Sequence, residues 1–267
     1  MFVSLSLDGL SDLVGSRRYI MAEQMTEVQL MFQEKNNTGT AWTRNDQMEK
    51  DGYVVVKDLW DPEELYHPVP DIRGQLNYVD KNLDHFEHHA LETQVEGSLA
   101  RYWYPQYREV HTGIRLKLEK IIGRKLYNTY YYDRFYFEGQ ELTRHADRPA
   151  CEISVSVHIS TNLPDDQKDW PFKIKTPDTY TDESKTTVLV PGEVHSAVLN
   201  PGDGLVYKGC ERPHWREAMP FPAPRKRDWL LKKIGKYNKT EYYYHQIFFH
   251  YVLQDGQRAQ YAWDPSK

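Results

Sequence analysis

With 267 residues and a formal net charge of −5, the chain is long enough to bury a full core and has no cationic excess for holding nucleic acid through phosphate neutralisation. Its 20 Tyr and 7 Trp favour a sheet-rich protein and argue against disorder. Two cysteines, Cys151 and Cys210, are too few for a disulfide scaffold or a thiolate zinc cluster, so a reducing compartment, the cytoplasm, is expected.

In chain order, the opening MFVSLSLDGLSDLVGSRRYI lacks a basic first region and is broken by Asp8 and Asp12, so it does not read as a signal peptide, and Met21 is an alternative start. No run reaches the ~18 apolar residues of a membrane span. Residues 1–50 are expected to form a peripheral helical segment, because Met25, Val28, Met31 and Phe32 recur at helical spacing. The remainder, 51–267, reads as one domain. GYVVVKDLW predicts a strand, DPEEL a helix start, and 67–95 a long polar loop. A supporting helix is predicted near 98–122, with Pro105 dividing an early turn from its main body.

After Gly123 the pattern changes. LYNTYYYDRFYF, ACEISVSVHIS, WPFKIKT, KTTVLVPG, GLVYKG, HWREAM and YYYHQIFFHYVL are short β-rich segments separated by Gly, Pro, Asp and Asn. Strands in such numbers without intervening helices predict a sandwich or a barrel. The Pro-rich, basic MPFPAPRKR at 219–227 reads as an exposed loop.

His145-Ala-Asp147 is the one His-x-Asp triplet, a pattern expected roughly once by chance in a chain of this size. Context gives it weight. A strand and a Gly turn precede it and a strand of period two follows, so both side chains are expected at a strand end facing the barrel interior. His214 follows NPGDGLVYKGCERP, a turn and strand that return the chain to the same end. Two imidazoles and one carboxylate leave coordination positions open, the arrangement suited to iron(II) that activates oxygen. His195, in another strand-like segment, is the alternative third ligand, whereas His85, His88 and His89 read as a solvated polar cluster.

Four elements, Tyr136-Phe-Glu-Gly139-Gln140, His145-Ala-Asp147, Asn200-Pro-Gly-Asp203 and His214-Trp-Arg216, together resemble the 2-oxoglutarate- and iron(II)-dependent dioxygenases, nearest their prolyl-hydroxylase-like branch. The resemblance spans about 127–253 and implies a mainly β chain with flanking helices, folded as a double-stranded β-helix (a jelly-roll, cupin-like barrel). It implies Fe(II), 2-oxoglutarate and O2 as cofactor and co-substrates, with ascorbate in support. The implied reaction is hydroxylation of a C–H bond in a peptidyl or free amino acid or another small molecule, coupled to decarboxylation of 2-oxoglutarate to succinate. The family meets the far carboxylate of 2-oxoglutarate with a basic residue and often a Tyr. Tyr136 stands where that Tyr is expected, although one more core aromatic in a Tyr-rich strand explains it equally well.

The family's basic residue usually follows on the strand after the distal His, and here the sequence departs from the pattern. YYYHQIFFHYVL has no Arg or Lys, and Arg225 and Arg227 fall in the Pro-rich loop. Arg216, two residues past His214, is therefore assigned to the carboxylate, with Gln246 assisting. A non-catalytic metal- or ligand-binding jelly roll is the alternative, and consumption of 2-oxoglutarate separates the two.

Overall fold

A computed structural model describes residues 45–65, 87–88, 94–95, 98–183, 186–220, 233–234 and 242–263. The chain divides into two compact units, 1–42 and 43–267, and every described residue belongs to the second. The helix expected within 21–35 and most of the loop at 67–95 lie outside the described residues, as do Arg225 and Arg227. No helix among the described residues is long and apolar enough to cross a membrane.

The unit opens with α1 (Asp46–Lys50), whose Asn45 side chain accepts from the amides of Gln47 and Met48 and so closes the helix start. Strand β1 (Tyr53–Val56) and α2 (Pro62–Leu65) follow where GYVVV and DPEEL predict them. The prediction for 98–122 is corrected in part. Leu99–Tyr102 is a strand, β3, paired with β2 (Glu87–His88), and the helix α3 begins only at Arg108 and runs to Ile122. A period of two explains the difference: Ala100 joins the core, while Arg101 turns the other way to meet Asp133. A long-range partner thus decides a segment whose local pattern favoured a helix. Gly123, in the left-handed region at φ 72°, ends α3.

Ten strands follow: β4 (Leu126–Phe137), β5 (Leu142–His145), β6 (Ile153–Thr161), β7 (Phe172–Lys175), β8 (Thr179–Glu183), β9 (Thr186–Val190), β10 (Val194–Ala197), β11 (Gly204–Tyr207), β12 (His214–Arg216) and β13 (Tyr243–Leu253). They form a large sheet ordered β1-β11-β6-β13-β4-β3-β2 and a small sheet ordered β10-β7-β12-β5. Setting aside the β8–β9 hairpin, the chain from β4 onward alternates between sheets, large, small, large, small, small, large, small, large. Two antiparallel sheets wound in this alternation are a jelly roll, the double-stranded β-helix expected from the sequence. Its strands form two facing ladders. The KTTVLVPG strand, expected in the main assembly, pairs instead with β8 in a separate exposed hairpin.

The core lies between the sheets. Tyr130, Tyr132 and Tyr136 of β4, Tyr244 and Phe248 of β13, and Leu205 and Tyr207 of β11 meet Phe172, Ile174 and Leu142 of the small sheet. Alternate residues of β4 and β13 face outward instead and carry α3: His111 stacks on Phe249, its Nε2 meets the His250 carbonyl at 3.0 Å, and Tyr251 Oη donates to the His111 carbonyl at 2.8 Å. The Asn-Pro-Gly-Asp turn is a clasp. Asp203 accepts from the Asn200 and Asp58 amides and from Lys57 Nζ, and Gly202, at φ 89°, lies where a Cβ would come within 2.7 Å of the Trp60 carbonyl. That motif therefore ties the end of β1 to the start of β11.

Candidate metal centre

Strand β5 delivers His145 as its last residue. Asp147 sits just beyond the strand, where its amide donates to the Gly209 carbonyl at 2.9 Å. His214 opens β12 directly opposite His145, and residues paired across an antiparallel ladder share a face. The Nε2 atoms of His145 and His214 each lie 3.5 Å from Asp147 Oδ1. One donor atom from each of the three falls within 4.8 Å of the others.

The remaining ring nitrogens are engaged. His145 Nδ1 donates to the Thr143 carbonyl at 2.7 Å, and His214 Nδ1 to the Arg212 carbonyl at 2.9 Å. A carbonyl only accepts, so Nδ1 carries the proton and each Nε2 lone pair turns toward the shared centre. Burial opposes charge on His145, but Asp147 and the Thr143 carbonyl raise its pKa above the usual value. Burial also opposes charge on Asp147, and the neighbouring His214 and His145 outweigh it and hold the carboxyl well below the ordinary range. The cluster therefore favours a positive charge at its middle. His214 is 2% exposed and His145 is 18% exposed, so the centre is reached from the His145 side.

His195 stays apart. It shares the cross-strand row that runs through Ile174 to His214, but two strand spacings separate it from His214, about 10 Å. Its Nε2 lies 3.6 Å from Glu193, and its side chain is exposed. His85 and His89 lie outside the described residues, as does the side chain of His88.

Two residues past His214, Arg216 faces the same interior and is 1% exposed. Its Nη1 donates to the Trp170 carbonyl, whereas Nε and Nη2 meet no acceptor in good hydrogen-bond geometry, although the Tyr244 hydroxyl is near enough to interact with the guanidinium. The guanidinium lies over the rings of Trp170 (4.5 Å), Tyr244 (4.9 Å) and Phe172 (5.3 Å). Tyr136 meets Trp170 edge-on at 5.0 Å, and its hydroxyl is buried without a partner. The Gln246 amide, two residues along β13 from Tyr244, is also buried with both ends unsatisfied. Orphaned buried donors are rare in folded proteins because each forfeits its hydration. Two of these residues, Arg216 and Tyr136, share Trp170 as a neighbour.

Sequence reasoning missed four residues around the site: Arg134, whose guanidinium lies over the rings of Tyr132 and Tyr136, and Tyr244, Ser154 and His250. Arg134 was within reach, because it stands two residues before Tyr136 on a strand already assigned. Tyr244 is raised by burial, with the Arg216 charge partly offsetting that.

A second donor group, Asp147, Cys151 and His250, also falls within 4.8 Å. Burial raises the Cys151 thiol well above its usual pKa, and Tyr130 Oη lies 3.2 Å from Sγ. Ser154 Oγ occupies the gap between Asp147 Oδ2 and His250 Nδ1, at 2.9 Å from each. Cys151 therefore keeps its proton, and Ser154 bridges the Asp147 carboxylate to a neutral His250.

No protein-family model and no curated protein matches this chain. Solved structures do. A Pseudomonas putida prolyl-4-hydroxylase aligns over 77% of this chain and 95% of its own at 13% identity, with a TM-score of 0.48. EctD from S. alaskensis, solved with 2-oxoglutarate and 5-hydroxyectoine, aligns over 81% of this chain and 78% of its own at 15% identity and TM-score 0.49. A prolyl hydroxylase from Trichoplax adhaerens, in complex with a hypoxia inducible factor peptide fragment, aligns over 77% of this chain and 86% of its own at 10% identity and TM-score 0.44. Likeness at this level leaves the chemistry of the site to its own geometry.

Proposed function

We propose that this chain is a 2-oxoglutarate- and iron(II)-dependent oxygenase that hydroxylates a C–H bond of a peptidyl or free amino acid or another small molecule. The observation that carries the reading is the convergence of two imidazole Nε2 atoms on one oxygen of a buried carboxylate. The donor set fits the metal. The two Nε2–Oδ1 separations are 3.5 Å and all three donor atoms lie within 4.8 Å of one another, close enough to share one ion. Three protein ligands would leave further coordination positions for co-substrate and oxygen. The orphaned donors fit 2-oxoglutarate, because a buried dicarboxylate must be matched by charge and hydrogen bonds.

When bound, the iron with 2-oxoglutarate would supply dioxygen activation and the oxidising power for hydroxylation, with succinate and carbon dioxide released. The chain's own residues bind and orient. His145, Asp147 and His214 hold the metal, Arg216 receives the far carboxylate through the edge formed by Nε and Nη2, and Tyr136 and Gln246 donate beside it. Trp170, Tyr244 and Phe172 exclude water around that charge pair, which strengthens it. The buried thiol of Cys151 and the half-buried thiol of Cys210, both free, fit a cytoplasmic setting.

The test is turnover of 2-oxoglutarate to succinate with iron(II) and ascorbate, followed by mass spectrometry of peptide and metabolite pools for a gain of one oxygen atom. His145→Ala, Asp147→Ala and His214→Ala are each expected to abolish turnover and weaken iron binding, whereas His195→Ala keeps both. Full activity in His214→Ala would overturn the ligand assignment. A wild-type chain that binds iron and leaves 2-oxoglutarate untouched would be a binding module.

A further inference from the structure

The two oxygens of Asp147 have different surroundings. Oδ1 faces the imidazoles, and Oδ2 accepts from Ser154 Oγ at 2.9 Å. Ser154 lies on β6 directly opposite His250 of β13, and their side chains meet at 2.9 Å. Gly209 closes the cluster from a third side: a Cβ there would fall 2.3 Å from Asp147 Oδ2, 2.7 Å from Ser154 Oγ and 2.4 Å from the Cys151 carbonyl. Only glycine lets the chain pass this close.

Proton counting orders the chain of bonds. A carboxylate only accepts and Ser154 has one proton, so the charge-assisted bond to Asp147 takes it. Ser154 Oγ is then the acceptor toward His250, and Nδ1 of that ring must be the protonated nitrogen. The opposite nitrogen, Nε2, is left as a buried lone pair, and no donor meets it. A tilted contact with Tyr130 at 4.6 Å and a stacked one with Tyr132 at 5.9 Å hold the ring between them.

We infer that Ser154 and His250 are positioning residues: Ser154 occupies Asp147 Oδ2, His250 holds Ser154, and together they present the carboxylate to the metal through Oδ1 alone. The inference rests on the metal reading above. A carboxylate that swung to offer both oxygens would fill one of the positions the co-substrates need, and the Ser154 bond opposes that swing. Partners behind the ligands set both affinity and geometry in metal sites of this kind.

Cobalt(II) titration of the metal-free protein reads both through the visible absorption of the bound ion. Ser154→Ala is expected to weaken cobalt(II) binding by about tenfold to a hundredfold and to change the band envelope. His250→Phe keeps the stacking ring, removes the donor, and is expected to shift both in the same direction by less. Unchanged affinity and spectrum in Ser154→Ala, with only a lower melting temperature, would make Ser154 structural and overturn the inference. A His250→Phe protein identical to wild type in both readouts would overturn the part assigned to His250. If the wild-type chain binds no cobalt(II), the metal reading and this inference fall together.

Discussion

Arg216 is fully desolvated, yet among the described residues no carboxylate answers it. The nearest acid in sequence, Glu217, is engaged elsewhere, accepting from Lys173 Nζ at 2.7 Å and Trp215 Nε1 at 3.1 Å. Aromatic faces and one backbone carbonyl offset part of the cost of burying a guanidinium, and an incoming carboxylate would complete it with two parallel bonds. Arg216→Ala is therefore expected to raise the 2-oxoglutarate requirement by on the order of a hundredfold, about 3 kcal/mol, with iron binding nearly unchanged. Arg216→Lys keeps the charge without the fork and is expected to recover only part of the loss. Saturation curves for 2-oxoglutarate in wild type, Arg216→Ala and Arg225→Ala settle the assignment. A defect in Arg225→Ala beside normal affinity in Arg216→Ala would transfer the role to the Pro-rich segment.

At the scale of elements, a second buried charge group lies on the outer face of the large sheet. Arg101 of β3 clamps Asp133 of β4 through Nε at 2.9 Å and Nη2 at 2.5 Å, and His245 of β13 reaches the same carboxylate at 2.7 Å. Burial opposes the Asp133 charge, but Arg101 and His245 outweigh it and lower the pKa. Asp133→Asn leaves the guanidinium without its counter-charge and is expected to cost about 3–5 kcal/mol, read as a lower urea midpoint, whereas joint replacement of Arg101 and Asp133 by Met and Leu should recover most of it. A double variant no more stable than Asp133→Asn would refute this account.

The same tie shows why the strand at Leu99–Tyr102 was not legible in sequence. Four residues do not distinguish a helix turn from an edge strand, and the partner that decides lies more than thirty positions away. The strands β4, β6 and β13 were legible because each is a long β-branched or aromatic run bounded by turn residues. In the site, the grouping of His145, Asp147 and His214 could be anticipated mainly from the family resemblance of the surrounding strand and turn segments, since the His-x-Asp spacing by itself is expected by chance. Ser154 and His250 could not, since their meeting depends on the register of β6 against β13, which neither strand encodes alone.

The whole molecule stores several neutral imidazoles, and this makes its stability depend on pH. Burial lowers His111 to about 3, and His158 and His250 each to about 4, whereas these side chains titrate near 6.5 once unfolded. Between those values the unfolded chain binds protons that the folded chain refuses, so stability is fully present above about pH 6.5 and is lost as the pH falls. His145 acts in the opposite sense. Its pKa is raised in the folded metal-free protein, so its contribution is present at low pH and fades as the pH rises through the folded value. Near pH 5 His145 is charged in both states and contributes nothing to the slope, so the three depressed groups leave a net uptake of about three protons on unfolding, or roughly 4 kcal/mol per pH unit at about 1.4 kcal/mol per proton. Urea unfolding of the metal-free protein at half-unit steps from pH 7 to pH 4.5 measures that slope directly. His158→Phe, which leaves an aromatic ring against Tyr244, should reduce it by about one proton. A stability profile that stays level from pH 6.5 to 4.5 would mean that these rings titrate in the folded protein much as they do in water, and that the stacked interior described for them is not closed to protons.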